Sequence, residues 1–157
     1  MKIAEDLLRL ACNGNAPAFQ FMNDITEVFH FWDDLVDRDR PLTDADVNMQ
    51  MCRALLTLPR NSFYQTHFAR LTTLVDNSIR NWMTATTLER EGTEGDREIA
   101  FILRSSYADL LVEVAHLCGA NTLEVAVMAR RVVHKEGFAG YLVNLELERA
   151  ARKLTYV

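Results

Sequence analysis

Helical periodicity runs through this 157-residue chain, and only six glycines and three prolines interrupt it. No stretch alternates apolar and polar residues long enough to read as a strand, so apolar surface must be buried helix against helix. The interruptions predict the elements. A short helix over 3–12 ends at Asn13-Gly14. Asn15 caps a long helix over 16–38, with Pro17 tolerated in its first turn, and Pro41 stops it. Thr43-Asp44-Ala45-Asp46 starts a third helix with a capping-box-like pattern, running to Leu58 before Pro59. Asn61 opens a helix to about Glu91, and Gly92-Thr93-Glu94-Gly95 reads as a polar turn. One helix over 96–118 follows, closed by Gly119, and Asn121 caps another reaching Glu136. Gly137 and Gly140 bend or break the chain before a last helix over 141–153. The expectation is an all-α, single-domain bundle of six to seven helices over residues 1–157.

The charge balance bears on partners. A net charge of −5 and a pI near 5.3 leave no basic stripe to replace the counterions of nucleic acid. Arg130, Arg131, His134 and Lys135 form a single basic cluster, enough at most for a local anion site. Cys12, Cys52 and Cys118 are widely spaced among apolar neighbours and read as reduced, buried thiols. No 18-residue run is free of charge, and acidic residues stand where a secretory leader would be apolar. A cytoplasmic protein without a membrane span is expected.

The segment Phe31-Trp32-Asp33-Asp34-Leu35-Val36-Asp37 places three carboxylates within one and a half helical turns. Like charges at that spacing repel by a few tenths of a kcal/mol per pair, and the stripe Asn23, Glu27, His30, Asp34, Asp37 offers no basic residue to offset them. Hard oxygen donors packed this way suit Mg²⁺ that also holds a phosphate group; a solvated acidic helix end is the competing reading. Phe29, Trp32, Leu35 and Val36 form the helix's apolar arc, which makes Trp32 a core residue and Asp37 a removable one.

On the helix expected over 96–118, Ser106, Asp109, Glu113 and His116 form a narrow polar stripe opposite a broad apolar face. Buried carboxylates there need a cation, a metal or a basic side chain. Asp109 and Glu113 are therefore candidate metal ligands facing Asp33, Asp34 and Asp37. Arg104 could grip a diphosphate through its planar fork, or pair with a carboxylate. His30 precedes the acidic run by one turn and is a candidate phosphate contact. Glu27-x-x-His30 and Glu113-x-x-His116 also match half of a di-iron carboxylate pattern.

These motifs resemble those of class I isoprenoid synthases, in particular the squalene and phytoene synthase branch, in much shortened form. Phe31 to Asp37 resembles that family's first aspartate-rich motif, which holds Mg²⁺ and the substrate diphosphate. Tyr107-Ala108-Asp109-Leu110-Leu111-Val112-Glu113-Val114-Ala115-His116-Leu117-Cys118-Gly119 is similar to the helix lining its prenyl cavity, with Tyr107 on the substrate side. Tyr141-Leu142-Val143-Asn144-Leu145-Glu146-Leu147-Glu148 resembles its second metal motif, with Asn144 and Glu148 at ligand positions but without the family's Asp-x-x-Glu-Asp continuation. The Trp-Asp-Asp-Leu segment also looks like that of small phage-type proteins, a resemblance that implies no activity.

The resemblance implies a Mg²⁺-dependent helical protein binding a small diphosphate-bearing molecule, in its enzymatic form a prenyl synthase or transferase. Asp33, Asp34, Asp37, Asp109, Glu113, Asn144 and Glu148 would hold metal; Arg104, Tyr107 and His30 would touch substrate. An all-α nucleotide pyrophosphohydrolase is an alternative, gathering Asp34 and Asp37 with Asp109 and Glu113 around Mg²⁺. The other alternative is a non-enzymatic interaction protein with an inhibitory or assembly role, which could form a homo-oligomer.

Overall fold

A computed structural model describes residues 5–38 and 40–155, with side chains as far as residue 150. It is all-helical, with no strand among the described residues. Helices α1 (Glu5–Cys12), α2 (Ala16–Asp37) and α3 (Asp44–Cys52) are followed by a π-helical turn (Arg53–Thr57) and the short α4 (Leu58–Arg60) and α5 (Ser62–Thr66). Then come α6 (Phe68–Glu91), α7 (Glu94–Leu103), α8 (Tyr107–Leu117), α9 (Thr122–Val133) and α10 (Gly137–Thr155). Eight of these have eight residues or more, against six to seven helices expected.

The starts follow the sequence signals. Asn15 accepts from the Ala18 N–H at 3.0 Å, Asn61 from Tyr64 at 3.0 Å, and Asn121 from Glu124 at 3.3 Å. Thr43 with Asp46, and Thr93 with Asp96, form complete capping boxes. The segment 92–95 is thus a junction rather than a loop, because α7 begins at Glu94. Helix α2 ends at Asp37, capped by Arg38, which takes a left-handed conformation with φ 57°.

Several expected boundaries differ. The helix expected from Asn61 to Glu91 is divided at His67 into α5 and α6, and the last helix starts at Gly137 and runs through Gly140 instead of beginning at 141. Pro59 does not end its helix, because Leu58 N–H reaches back to the Arg53 carbonyl in a π turn that carries the chain past the proline. The helix expected over 96–118 is broken at Arg104-Ser105-Ser106. There the Ser105 hydroxyl bonds the Ile102 carbonyl at 2.7 Å, and Arg130 takes the Ser105 carbonyl at 2.6 Å. That break re-aims everything downstream of Arg104.

The core gathers Leu7, Leu8 and Cys12 of α1, Phe21 and Met22 of α2, Leu71 of α6, and Leu110, Leu111 and Val114 of α8. Val125, Ala129 and Val133 of α9 close it. Phe21, at 0% exposure, stacks on Tyr64 with centroids 5.0 Å apart. Cys12 is buried, and burial pushes its thiol up to about 12. Cys118 is half-buried, and Cys52 is exposed, contrary to the expectation that all three are buried. Among the described residues no helix is long and apolar enough to cross a membrane.

Trp32 and Leu35 also depart from expectation. They are 38% and 51% exposed, whereas Phe31 is buried at 8%. The core-facing arc of α2 runs through Phe21, Ile25 and Val28, and its C-terminal half turns Trp32 toward a cavity instead.

Candidate functional site

A cavity of about 330 Å³ opens between α2, α6, the α7–α8 junction and the start of α10. That is the low end of the range for small-molecule sites. Phe29, Trp32, Trp82, Phe101, Tyr107 and Tyr141 supply aromatic wall. Trp32 and Trp82 meet at 5.9 Å, and Phe101 packs 5.1 Å from Tyr141. The polar lining comes from Asp33 and Asp37 on α2, Glu89 on α6, Arg104, Glu136, and Asn144 with Glu148 on α10.

Glu89 organises the charged end. It is 5% exposed and accepts from Arg104 Nε at 2.8 Å, from a second Arg104 nitrogen, and from the Tyr141 hydroxyl at 2.5 Å. The Arg104 fork thus engages one carboxylate bidentately, the strongest common form of such a pair. Arg104 also reaches Asp33 Oδ1 at 3.3 Å and Thr86 Oγ1 at 3.3 Å, and its guanidinium lies 5.9 Å over the Trp82 ring. Burial works against its charge, but Glu89, with Asp33 and Asp37 behind it, outweighs burial and keeps the guanidinium firmly protonated. Burial and the Glu89 carboxylate both push the Tyr141 phenol up.

The structure sorts the candidate residues cleanly. Asp33, Asp37, His30, Arg104, Tyr107, Asn144 and Glu148 all line the one cavity. Asp34 turns away and pairs with Arg40 at 2.7 Å. Asp109 is held by Arg130 at 2.5 Å, and Glu113 meets Arg70 at 2.6 Å without hydrogen-bond alignment. Neither reaches the cavity, so the expected convergence of the two acidic helices does not occur. The break at Ser105 explains this: it leaves Arg104 and Tyr107 facing the cavity while Asp109 faces α9. Asp37 is not the removable carboxylate expected either. It is buried at 6% exposure and accepts from Arg90 at 2.9 Å.

The paired cations come from elsewhere in the chain. Arg40, Arg90 and Arg104 reach the acidic run from outside α2, and Arg53 of the π turn takes the buried Asp24 at 3.2 Å. No family model matches the chain, and no curated protein or solved structure matches it either.

Sequence reading did not single out Glu89, Trp82, Tyr141, Ser78 or Glu136. One signal was present: Ser78, Trp82, Ala85, Thr86 and Glu89 recur at helical spacing on α6 and define a face with small and polar members. Glu27 and His116, halves of the two Glu-x-x-His pairs, are exposed, and Glu27 lies 3.7 Å from Arg53. Among the described residues no group of three or more His, Cys, Asp or Glu converges on a point that could hold a metal ion.

Hard oxygen donors nonetheless line the same cavity from two helices, Asp33 and Asp37 on α2 and Asn144 and Glu148 on α10. Mg²⁺ is ordinarily held by one or two carboxylates together with a ligand's phosphate oxygens, not by an all-protein cage. The donor chemistry fits such a shared site. Carboxylates also outnumber Arg104 among the lining residues, so an anion alone would be repelled there.

Proposed function

We propose that this protein binds a small amphiphile bearing a diphosphate, together with Mg²⁺, in the cavity between α2 and α10. The observation that carries this reading is that Asp33 and Asp37 share an aromatic-walled cavity with Asn144 and Glu148, from helices at opposite ends of the chain. The division of labour follows from the lining. Asp33, Asp37, Asn144 and Glu148 present oxygens for the cation, and Arg104 offers a fork that trades a carboxylate for a phosphate oxygen. Phe29, Trp32, Phe101 and Tyr107 shelter the apolar tail from water. Bound Mg²⁺ would neutralise the diphosphate and, in an enzymatic version, stabilise it as a leaving group. The resemblance to isoprenoid synthases in the first and last acidic segments supports the same assignment. The pyrophosphohydrolase alternative needs Asp34, Asp109 and Glu113, which are engaged by Arg40, Arg130 and Arg70 away from the cavity.

The chain's two tryptophans, Trp32 and Trp82, both line the cavity, so intrinsic fluorescence reports on it directly. Mg²⁺ and inorganic pyrophosphate added together should change the emission saturably, and pyrophosphate alone should not. Asp33→Asn and Asp37→Asn should lose the response, and Asp34→Asn should keep it. A response that survives in the first two variants, or none in the native protein, overturns the proposal.

A further inference from the structure

Three polar atoms in or beside the cavity are buried without a hydrogen-bond partner among the described residues: Ser78 Oγ, Tyr107 Oη and His134 Nδ1. Ser78 as a whole is 5% exposed. An unsatisfied buried donor or acceptor costs free energy comparable to a lost hydrogen bond, and native structures keep such groups rare. Three around one cavity call for partners that the described side chains do not supply, either water or a bound molecule.

Ser78 and Tyr107 stand apart from the charged residues, whereas His134 packs on Phe101, which in turn meets Tyr141 beside Glu89. Ser78 precedes Glu89 on α6 by eleven residues, about 16 Å along the axis at 1.5 Å per residue. Arg104 pairs with Glu89 near one end of α6 and Glu113 with Arg70 near the other, so Tyr107 lies between those levels, as Ser78 does. Among the described residues no arginine or carboxylate bonds any of the three. Burial, and then the Arg130 charge, lower the His134 pKa, with Glu136 opposing, so the imidazole is neutral and can donate or accept. Burial pushes the Tyr107 phenol up to about 12, against the pull of Arg130, so it remains a hydroxyl donor.

We propose that Ser78 and Tyr107 form a second, uncharged hydrogen-bonding subsite that takes a hydroxyl or carbonyl oxygen at the end of the ligand remote from its charged head. The inference rests on the proposed ligand class and deepens it: the apolar tail is not a plain hydrocarbon but ends in oxygen. A hydroxyl reaching Ser78 and Tyr107 would exchange donor and acceptor roles with both, whereas a hydrocarbon tail would leave both unpaired, the situation in which polar sites discriminate most strongly.

Tryptophan fluorescence titration with two matched pairs of probes tests this. One pair is geranyl diphosphate and its terminally hydroxylated counterpart, each with Mg²⁺. The other is ethylbenzene and phenylethyl alcohol, which carry no diphosphate. In the native protein the hydroxylated member of each pair should bind at least tenfold tighter. In Ser78→Ala and Tyr107→Phe that advantage should shrink towards unity, with the apolar member little changed. Both variants remove an unpaired buried hydroxyl, so both should fold at least as stably as the parent. Equal affinities within the pairs, or an advantage that persists in both variants, overturn the subsite. If the diphosphates fail to bind while the neutral pair discriminates, the proposed function falls and the subsite stands. If no probe binds, water alone satisfies these atoms and both readings fall.

Discussion

The Trp82 indole N–H donates to Asp33 Oδ1 at 2.7 Å, so one hydrogen bond ties the aromatic wall of the cavity to its acidic head. Replacing Asp33 by Leu removes that acceptor and one neighbour of Arg104. It should cost about 1.5–3 kcal/mol in urea unfolding, the usual range for a hydrogen bond to a charged group. Asp33→Asn keeps an acceptor oxygen and should cost less. A shift in tryptophan emission should accompany Leu but not Asn.

Glu89 and Arg104 are partners in a buried network, and removing one strands the other. Glu89→Leu should destabilise by about 3–5 kcal/mol, the range for an uncompensated buried charge. Glu89→Leu combined with Arg104→Met should recover much of that loss. A double-mutant cycle measures the coupling, and strict additivity would mean the two charges are independent.

Asp37 and Asp34 should behave oppositely in spite of their shared helix. Asp37→Ala removes the partner of Arg90 from a buried position and should cost about 1–3 kcal/mol. Asp34→Ala loses an exposed pair with Arg40 and should lie within about 0.5 kcal/mol of the parent in the same unfolding series.

Two glycines three residues apart give a second contrast. A Cβ on Gly92 would sit 2.3 Å from the Leu88 carbonyl oxygen and 2.5 Å from Asp96 Cβ, so the α6–α7 junction would have to shift. Gly92→Ala should cost about 1–3 kcal/mol, as overpacking does. Gly95 lies in the first turn of α7 with nothing within 4 Å, and Gly95→Ala should stabilise by about 0.5–1 kcal/mol. Thermal unfolding of the two variants distinguishes the signs.

His134 sets a pH dependence of known sign. Its folded pKa is lowered from 6.5, so the unfolded chain takes up its proton first as pH falls. The neutral ring's contribution is fully present above 6.5 and is lost as pH drops towards the folded pKa. The native protein should therefore lose stability relative to His134→Asn through the window just below pH 6.5 and hold a constant difference above it.

Helix type and most helix starts were legible because each rests on a local device: Asn15, Thr43, Asn61 and Asn121 cap the residues that follow them. The break at Ser105 was not, because it depends on Arg130, which reaches it from 25 residues away. The candidate site divides the same way. Residue types suited to a diphosphate site could be read from the acidic run and from Asn144 and Glu148. Which carboxylates are spent on ion pairs could not, since Arg40, Arg70, Arg90 and Arg130 approach from other elements. A helical wheel for α2 shows which residues share a stripe, but not that Asp34 leaves it for Arg40.

Among the described residues the contiguous apolar core ends at Val133 and includes none of α10, whose one buried apolar side chain among them, Leu145, lines the cavity. Helix α10 is fastened instead by Tyr141 and Arg149 to Glu89, by Phe138 and Tyr141 against Phe101, and by Glu146 to Arg97. A chain emerging from the ribosome can therefore consolidate its interior before α10 has been made, and the cavity gains its last wall only afterwards. Assembly of the pocket is in this sense a separate event from folding of the body that supports it.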